Sequence, residues 1–329
     1  MLPNVILHGC FHCPWVSYRS HFAVCYQSTT TQRKEKRPSS YCHRLYRYVR
    51  LIVNCFSHWS FRPIPIPEYP SYGCEDVTVI IPTLDGDTPE LRETVSTCLR
   101  TDPFEIILVT IEANRKRAMC LAESMHSKKI RVFSSPQANK RLQMHEAIPE
   151  VRTSITVFAD DDVSWPRTIL PWILAPFEDS VMGGVGTCQR LRRAIHPTLS
   201  ERMWNYLGAV YLERRNFDIS ACTNMDGGLP CLSGRTVAYR TDILQDDEFK
   251  HEFTHETWRT YQLNADDDNF LTRWMVSHGW KTYVQYHKEA EIRTTLESNW
   301  RFLLQVLRWA RSNWRSNLTS MFVERHIWR

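Results

Sequence analysis

Three observations predict an α/β fold built on a parallel sheet flanked by helices. From residue 77 onward, short β-branched runs alternate with stretches of helical spacing, the pattern that makes parallel strands joined by right-handed crossovers. An apolar run, Ile155 to Ala159, ends in three consecutive carboxylates, Asp160-Asp161-Asp162, at the strand end where open α/β sheets bind ligands. The chain has 329 residues, of which 43% are hydrophobic and 23% charged, the balance of an ordinary globular protein that can bury one large core.

The amino-terminal part reads differently. Residues 1–40 are expected to be a poorly structured extension. Residues 1–63 carry nine Arg or Lys against the single acid Glu35, whereas the remainder is slightly acidic in sum. From Tyr41 to Arg62, Arg44, Arg47 and Arg50 alternate with Leu45, Tyr48, Leu51, Ile52, Phe56 and Trp59, as in a basic amphipathic helix lying on a membrane surface. Nucleic acid is the competing partner for such a stretch, but no nucleic-acid motif accompanies it and none is expected to bind. Arg62-Pro63-Ile64-Pro65-Ile66-Pro67 reads as a stiff linker, closing a segment over residues 41–70.

The domain elements follow in order. Val77 to Thr83 is a strand. Thr88-Pro89-Glu90 supplies an N-cap, a first-turn proline and an acid for a helix carrying Leu91, Val95, Cys98 and Leu99 on one face. A second strand, Glu105 to Ile111, leads to a helix with Ala118, Leu121, Ala122 and Met125 on one face. A third, Ile130 to Ser134, precedes a helix starting near Asn139, and the aspartate strand is fourth. The loops after these strands converge on one sheet edge, which collects Asp85, Asp87, Glu112 and the aspartate triplet.

The triplet brings like charges together, which raises their pKa values unless a cation neutralises them. Hard oxygen ligands in this pattern suit Mg²⁺ or Mn²⁺ completed by water and substrate phosphates; the alternative is a solvated acidic loop. Asp266-Asp267-Asp268 opens a helix with Phe270, Leu271, Trp274 and Met275 on its apolar face and Gly279 at its end, and a simple helix N-cap is the alternative to a functional role there. On a helix from about Asn299, Leu303, Leu307, Ala310 and Trp314 form the expected buried stripe. Gln305, Arg308 and Trp309 lie opposite, where arginine can hold a phosphate and tryptophan a sugar face, or the two can form a surface cation–π pair.

Eleven scattered cysteines indicate reduced thiols in a cytosolic setting, and Cys10-Phe11-His12-Cys13 lacks the second pair a zinc site needs. No run approaches the length of a transmembrane helix, no signal peptide is visible, and Asn317-Leu318-Thr319 is read as a chance glycosylation match.

Taken in order, the strand Val79-Ile80-Ile81-Pro82-Thr83, Lys140-Arg141, Asp160-Asp161-Asp162, Cys231-Leu232-Ser233-Gly234 with Tyr239-Arg240, Asp267-Asp268 with Leu271-Thr272, and Gln305-x-x-Arg308-Trp309 resemble the cytosolic domain of family 2 inverting glycosyltransferases, the hyaluronan, chitin and cellulose synthases among them. Arg308 to Asn317 further resembles fungal type 2 polysaccharide synthases of the capsule-associated kind. The resemblance covers roughly residues 40 to 325. It implies an α/β, glycosyltransferase A-type (Rossmann-like) fold with a mixed, mainly parallel sheet flanked by helices, the catalytic domain over 71–298 and acceptor-side helices over 299–329. It implies transfer of a sugar from a UDP-sugar donor onto a growing glycan acceptor. Asp160 and Asp162 would hold Mg²⁺ or Mn²⁺, with Asp161 beside them in the donor site. Asp268, next to Asp267, would be the general base. Asp85, Glu112, Lys140, Arg141 and Arg308 would contact the nucleotide, and Ser233, Gly234, Gln305 and Trp309 the acceptor. Asn269 stands where an arginine often follows the acidic pair.

Processive family members carry transmembrane helices on both sides of this domain. This chain ends at Arg329, twenty residues past Trp309. The expectation is either a truncated synthase or a peripheral enzyme held at the cytoplasmic face of a membrane by its basic segment. The competing functions are a non-catalytic nucleotide-sugar-binding protein and a basic module for membrane or nucleic-acid surfaces.

Overall fold

In the computed structural model the described residues are 39–193, 196–229 and 231–325, with side chains described from residue 48. The expected extension lies outside the described residues up to residue 38, and so does Cys10–Cys13. Helix α1 (Ser39–Ser60) comes first. It is followed by β1 (Val77–Pro82), α2 (Pro89–Leu99), β2 (Glu105–Ile111), α3 (Arg115–Ser124), β3 (Ile130–Ser135), α4 (Lys140–Ala147) and β4 (Ile155–Ala159). Thr88 caps α2 by accepting from Leu91 N at 3.1 Å, and Asn139 caps α4 by accepting from Arg141 N and Leu142 N.

The second half of the chain runs β5 (Val163–Ser164), α5 (Ile169–Leu174), β6 (Met182–Thr187), β7 (Gln189–Leu191), the long α6 (Leu199–Asp226) and β8 (Thr236–Arg240). Then come α7 (Thr241–Gln245), α8 (Asp247–His255), the short hairpin β9 (Thr257–Trp258) and β10 (Tyr261–Gln262), α9 (Asp267–Ser277), β11 (Lys281–Gln285), β12 (Ile292–Thr294) and α10 (Arg301–Leu318).

The main sheet has the order β11-β6-β8-β4-β1-β2-β3. Every pairing in it is parallel except those of β8, which runs antiparallel to both β4 and β6. Helices cover both faces, which is why β1 and β4 are buried along their whole length and read as continuous apolar runs. On one face Leu91, Val95 and Ile169 pack against Val79, Ile81 and Leu108. On the other, Met144, Phe249, Phe270 and Trp274 pack against Ile80, Phe158 and Tyr239.

Two expectations are corrected. The proline-rich stretch is not a spacer. Ile64 exchanges two hydrogen bonds with the Gln285 amide, at 3.1 and 2.8 Å, the Tyr283 hydroxyl donates to Arg62 O, and Phe61 is buried against Tyr283 and Tyr286. Proline removes its own N–H but leaves the extended backbone between prolines free to bind an edge. The last turn of α1 is likewise docked, with Ser57 Oγ donating to Ala221 O at 2.6 Å and His58 Nδ1 sharing a 2.7 Å hydrogen bond with Ser220 Oγ on α6.

The second correction concerns α10. The stripe expected to be buried is exposed, with Leu303 at 57%, Leu307 at 46% and Trp314 at 41% exposure, while Phe302, Ser312 and Ser316 face inward. The surface that α10 meets is polar. Arg273 Nη1 donates to Ser316 Oγ at 2.9 Å and Asn269 Nδ2 to Asn313 Oδ1 at 3.4 Å, so the polar side of the helix turns in and its apolar side is left out.

Candidate active site

A cleft of about 600 Å³ opens at the carboxyl ends of β1 and β4, roofed by α10 and walled by α6, the 231–235 turn and the start of α9. Its donor-side wall begins where β1 stops. Thr83 Oγ1 donates to Asp161 Oδ2 at 2.8 Å, and Gln143 Nε2 fixes that turn by donating to Thr83 O and Val109 O. Asp162 Oδ2 accepts from Thr295 Oγ1 at 2.8 Å and from Thr294 Oγ1 at 3.3 Å. Asp160 N donates to Arg235 O across the β4–β8 pair. The three neighbouring aspartates therefore have separate supports.

Lys140 joins the two acidic clusters. Its Nζ lies 2.8 Å from Asp160 Oδ1 and 3.0 Å from Asp267 Oδ2. Burial opposes the charge on Lys140, but Asp160 and Asp267 outweigh it and hold its pKa above the ordinary value. Burial pushes the Asp161 carboxyl up to about 6, and burial followed by the like charge of Asp160 raises Asp162. Asp268 is raised by burial and then by Asp267. Its Oδ2 accepts from Gly234 N at 3.4 Å, and the nearby Cys231 thiol donates to Leu232 O at 3.1 Å. Gly234 has to be small, because a Cβ there would stand 3.1 Å from Asp267 Oδ2 and 3.2 Å from Lys140 Nζ.

The start of α9 is held from behind. Asp266 is left-handed, at φ 64°, and its carboxylate pairs with Arg315 of α10 instead of capping the helix. Arg141 is a support, not a wall of the cleft. It is almost fully buried, donates to Ala265 O and Asp266 O and pairs with Glu256 at 2.6 Å, and Glu256 also binds Arg273 of α9. The nucleotide contact expected of Arg141 is thus corrected. Its neighbour Lys140 points into the cleft, and a side chain one position along the helix must point elsewhere. Glu112 is also outside, exposed at the far end of β2, where its carboxylate accepts from Ser134 Oγ.

The other singled-out residues meet in this one cleft: Asp85, Lys140, Asp160, Asp161, Asp162, Ser233, Gly234, Asp267, Asp268, Gln305, Arg308 and Trp309. Trp309 is stacked on Tyr211, with ring centroids 5.3 Å apart, and the Arg235 guanidinium lies 5.1 Å from its ring centroid. The Gln305 carbonyl oxygen is buried with no hydrogen-bond partner among the described residues. Sequence reasoning missed the contribution of α6, which brings Tyr211, Arg214, Arg215 and Asp218 to the cleft, and it missed Arg235. The Thr198-x-x-Glu201 capping box at the start of α6 is the signal that could have located the helix, though not the residues it aims inward.

The residues present fit a divalent cation bound with a phosphorylated ligand. Asp160 and Asp162 flank one turn, and among the described residues no group of three or more His, Cys, Asp or Glu side chains is placed to hold a metal alone. Such a cation would complete its shell with phosphate and water.

Comparison with known sequences decides the family. A family model described as glycosyltransferase-like family 2 matches residues 75–312. The chain belongs to glycosyltransferase family 2. A type 2 glycosyltransferase of Zymoseptoria tritici is 64% identical over 284 residues, covering 86% of this chain and 59% of its own length. An NDP-glycosyltransferase, ltbB, of Aspergillus luteorubrus is 34% identical, covering 83% of this chain and 68% of its own. The chain spans somewhat over half the length of the fungal type 2 relatives it matches. The mannosyltransferase PcManGT of Pyrobaculum calidifontis, solved with GDP-Man and Mn²⁺, superposes with a TM-score of 0.55 at 14% identity, covering 85% of this chain and 81% of that one. The shared architecture is the glycosyltransferase A-type fold, a mixed, mostly parallel sheet between helices.

Proposed function

We propose that this family 2 chain moves a sugar, with inversion, from a UDP-sugar onto a growing glycan. The observation that carries this reading is the single cleft in which Asp160 and Asp162 face Asp267 and Asp268 with Lys140 between them. Asp268 is the base. Burial makes its carboxylate a stronger proton acceptor, and the Gly234 N–H orients Oδ2 toward the acceptor hydroxyl. The deprotonated oxygen attacks the anomeric carbon from the face opposite the diphosphate, so one displacement forms the new glycosidic bond, breaks the bond to the nucleotide and inverts the centre. Lys140 and Arg308 offset charge on the departing diphosphate. A divalent cation, when held by Asp160 and Asp162, supplies further neutralisation of that diphosphate. PcManGT binds GDP-Man and Mn²⁺, so GDP belongs beside UDP in any donor test.

The proposed location is an anionic membrane surface. Phe56 and Trp59 of α1 are 66% and 68% exposed, α6 exposes Met203, Tyr206 and Val210, and α10 exposes its leucine stripe. These helices adjoin, since α6 packs on α1 at one end and through Tyr211 on Phe302 of α10. Arg44, Arg47 and Arg50 in the α1 sequence add the charge complementary to anionic lipid. Among the described residues no helix is long and apolar enough to cross a membrane.

The test is transfer by Asp268→Asn. The expected outcome is loss of transfer from UDP-sugars with UDP affinity within about twofold of the parent chain, because an amide keeps the shape and cannot take a proton. Retained turnover would sink the base assignment. A parent chain that binds UDP and never turns over would be the binding protein instead.

A further inference from the structure

The cleft is lined by eight Asp and five Lys or Arg side chains, yet among the described residues three of those cations have no ion-pair partner. Lys140 is bridged by Asp160 and Asp267, and Arg214 pairs with Asp218 at 3.2 Å. Arg215, Arg235 and Arg308 line the same cleft, and among the described residues none of the three forms an ion pair. The Arg215 guanidinium donates to the Cys231 carbonyl at 3.3 Å, and Arg235 donates to the neutral Gln189 amide at 2.7 Å. Arg215 and Arg235 are half-buried, and holding such guanidiniums with no carboxylate in direct contact is costly unless an anion joins them. Through the Cys231 carbonyl Arg215 adjoins the 231–235 turn, whose Gly234 N–H meets Asp268 Oδ2, and this places Arg215 on the base's side of the cleft.

The donor does not use up this charge. Its diphosphate would be matched by a divalent cation held at Asp160 and Asp162, and the charge that develops on the departing nucleotide by Lys140 and Arg308. Arg215 and Arg235 remain, beside the stacked rings of Tyr211 and Trp309. We propose that Arg215 and Arg235 form an anion subsite on the acceptor side of the cleft, so that the acceptor glycan carries a carboxylate or phosphate close to the reacting hydroxyl. The guanidinium fork suits either group, and the ring pair offers an apolar face to the sugar bearing it. This inference rests on the transfer reading above, from which it takes the acceptor side.

The test is calorimetric titration of the full chain, held with saturating UDP and Mn²⁺, with glucuronate, glucose 6-phosphate and glucose as probes. One of the two anionic sugars is expected to bind at least about tenfold more tightly than glucose, and which one identifies the anion. Arg215→Gln is expected to reduce that affinity to the level of glucose with UDP affinity unchanged, and Arg215→Lys, which keeps the charge, to retain part of it. Equal binding of charged and neutral sugars would overturn the subsite. So would a parallel loss of UDP affinity in Arg215→Gln, which would give the guanidinium to the donor. If Arg215→Gln does not fold, Arg215→Lys and the parent chain's selectivity decide. If UDP itself does not bind, the transfer reading fails separately, and the same sugar titrations without UDP still decide the subsite.

Discussion

Lys140 and Gly234 show how few atoms set the cleft. One ammonium, within 3.0 Å of carboxylates from both clusters, holds together groups that would otherwise repel. Lys140→Met is expected to lower stability by about 1–3 kcal/mol in urea unfolding, by leaving partly buried carboxylates unpaired, and added Mn²⁺ is expected to restore more stability to the variant than to the parent chain. Gly234→Ala would push a methyl group against Asp267 and Lys140 at 3.1–3.2 Å. Its expected effect is a fall in transfer of about tenfold with a loss of stability within about 1 kcal/mol, read by initial rates and thermal unfolding. At this scale the sequence was legible where chemistry is written as a run of like residues. The acidic clusters and Gln305-x-x-Arg308-Trp309 announce themselves, and they meet in one cleft. Arg141 and Glu112 did not separate from the cleft residues by sequence, since a buried arginine reads like an exposed one until its partners, here Glu256 and the 265–266 carbonyls, are known. The isolated arginines of α6 gave no pattern at all.

Among the elements, β1, β2 and β4 and the helices between the strands follow their periodicity and caps closely, because both faces of the sheet are covered and these strands must be largely apolar, while the edge strand β3 is only partly buried. Helix α10 departs from its periodicity for a reason of partners, since an amphipathic pattern fixes which residues share a face and not which face turns inward. Its position depends on Arg273, which bonds Ser316 and pairs with Glu324 at 2.9 Å, and Arg273 in turn shares Glu256 with Arg141. Glu256 is therefore the pivot between α4, α9 and α10. Glu256→Ala is expected to cost about 3–5 kcal/mol in urea unfolding by leaving buried Arg141 with no carboxylate and Arg273 with Glu324 alone. A loss below about 1 kcal/mol would mean that the network does not hold these helices.

On the scale of the whole molecule, the cleft and the exposed apolar helices adjoin through α10, which presents Arg308 to one and Leu303 to the other. An acceptor would then be held close to a membrane surface. The full chain is expected to co-sediment with vesicles containing anionic lipid, more weakly as salt rises, and not with neutral ones. Phe56→Ser with Trp59→Ser is expected to abolish that binding, with a change in stability within about 0.5 kcal/mol because both side chains are exposed. Binding that survives the double substitution would remove α1 from the interface. The amphipathic pattern of α1 was visible in its alternation of basic and apolar residues, but its docking onto α6 through Ser57 and His58 was not, since it rests on hydrogen bonds between distant segments.

The proposed transfer depends on a donor site in which a nucleotide diphosphate and a divalent cation would bind together at Asp160 and Asp162. Calorimetric titration of the full chain with UDP, first with Mn²⁺ and then with the metal removed by chelator, tests it most directly. Binding is expected with Mn²⁺, with a loss of about tenfold or more in affinity without it and the same loss on Asp162→Ala in the presence of metal. UDP affinity that is indifferent to Mn²⁺ and to Asp162 would contradict it.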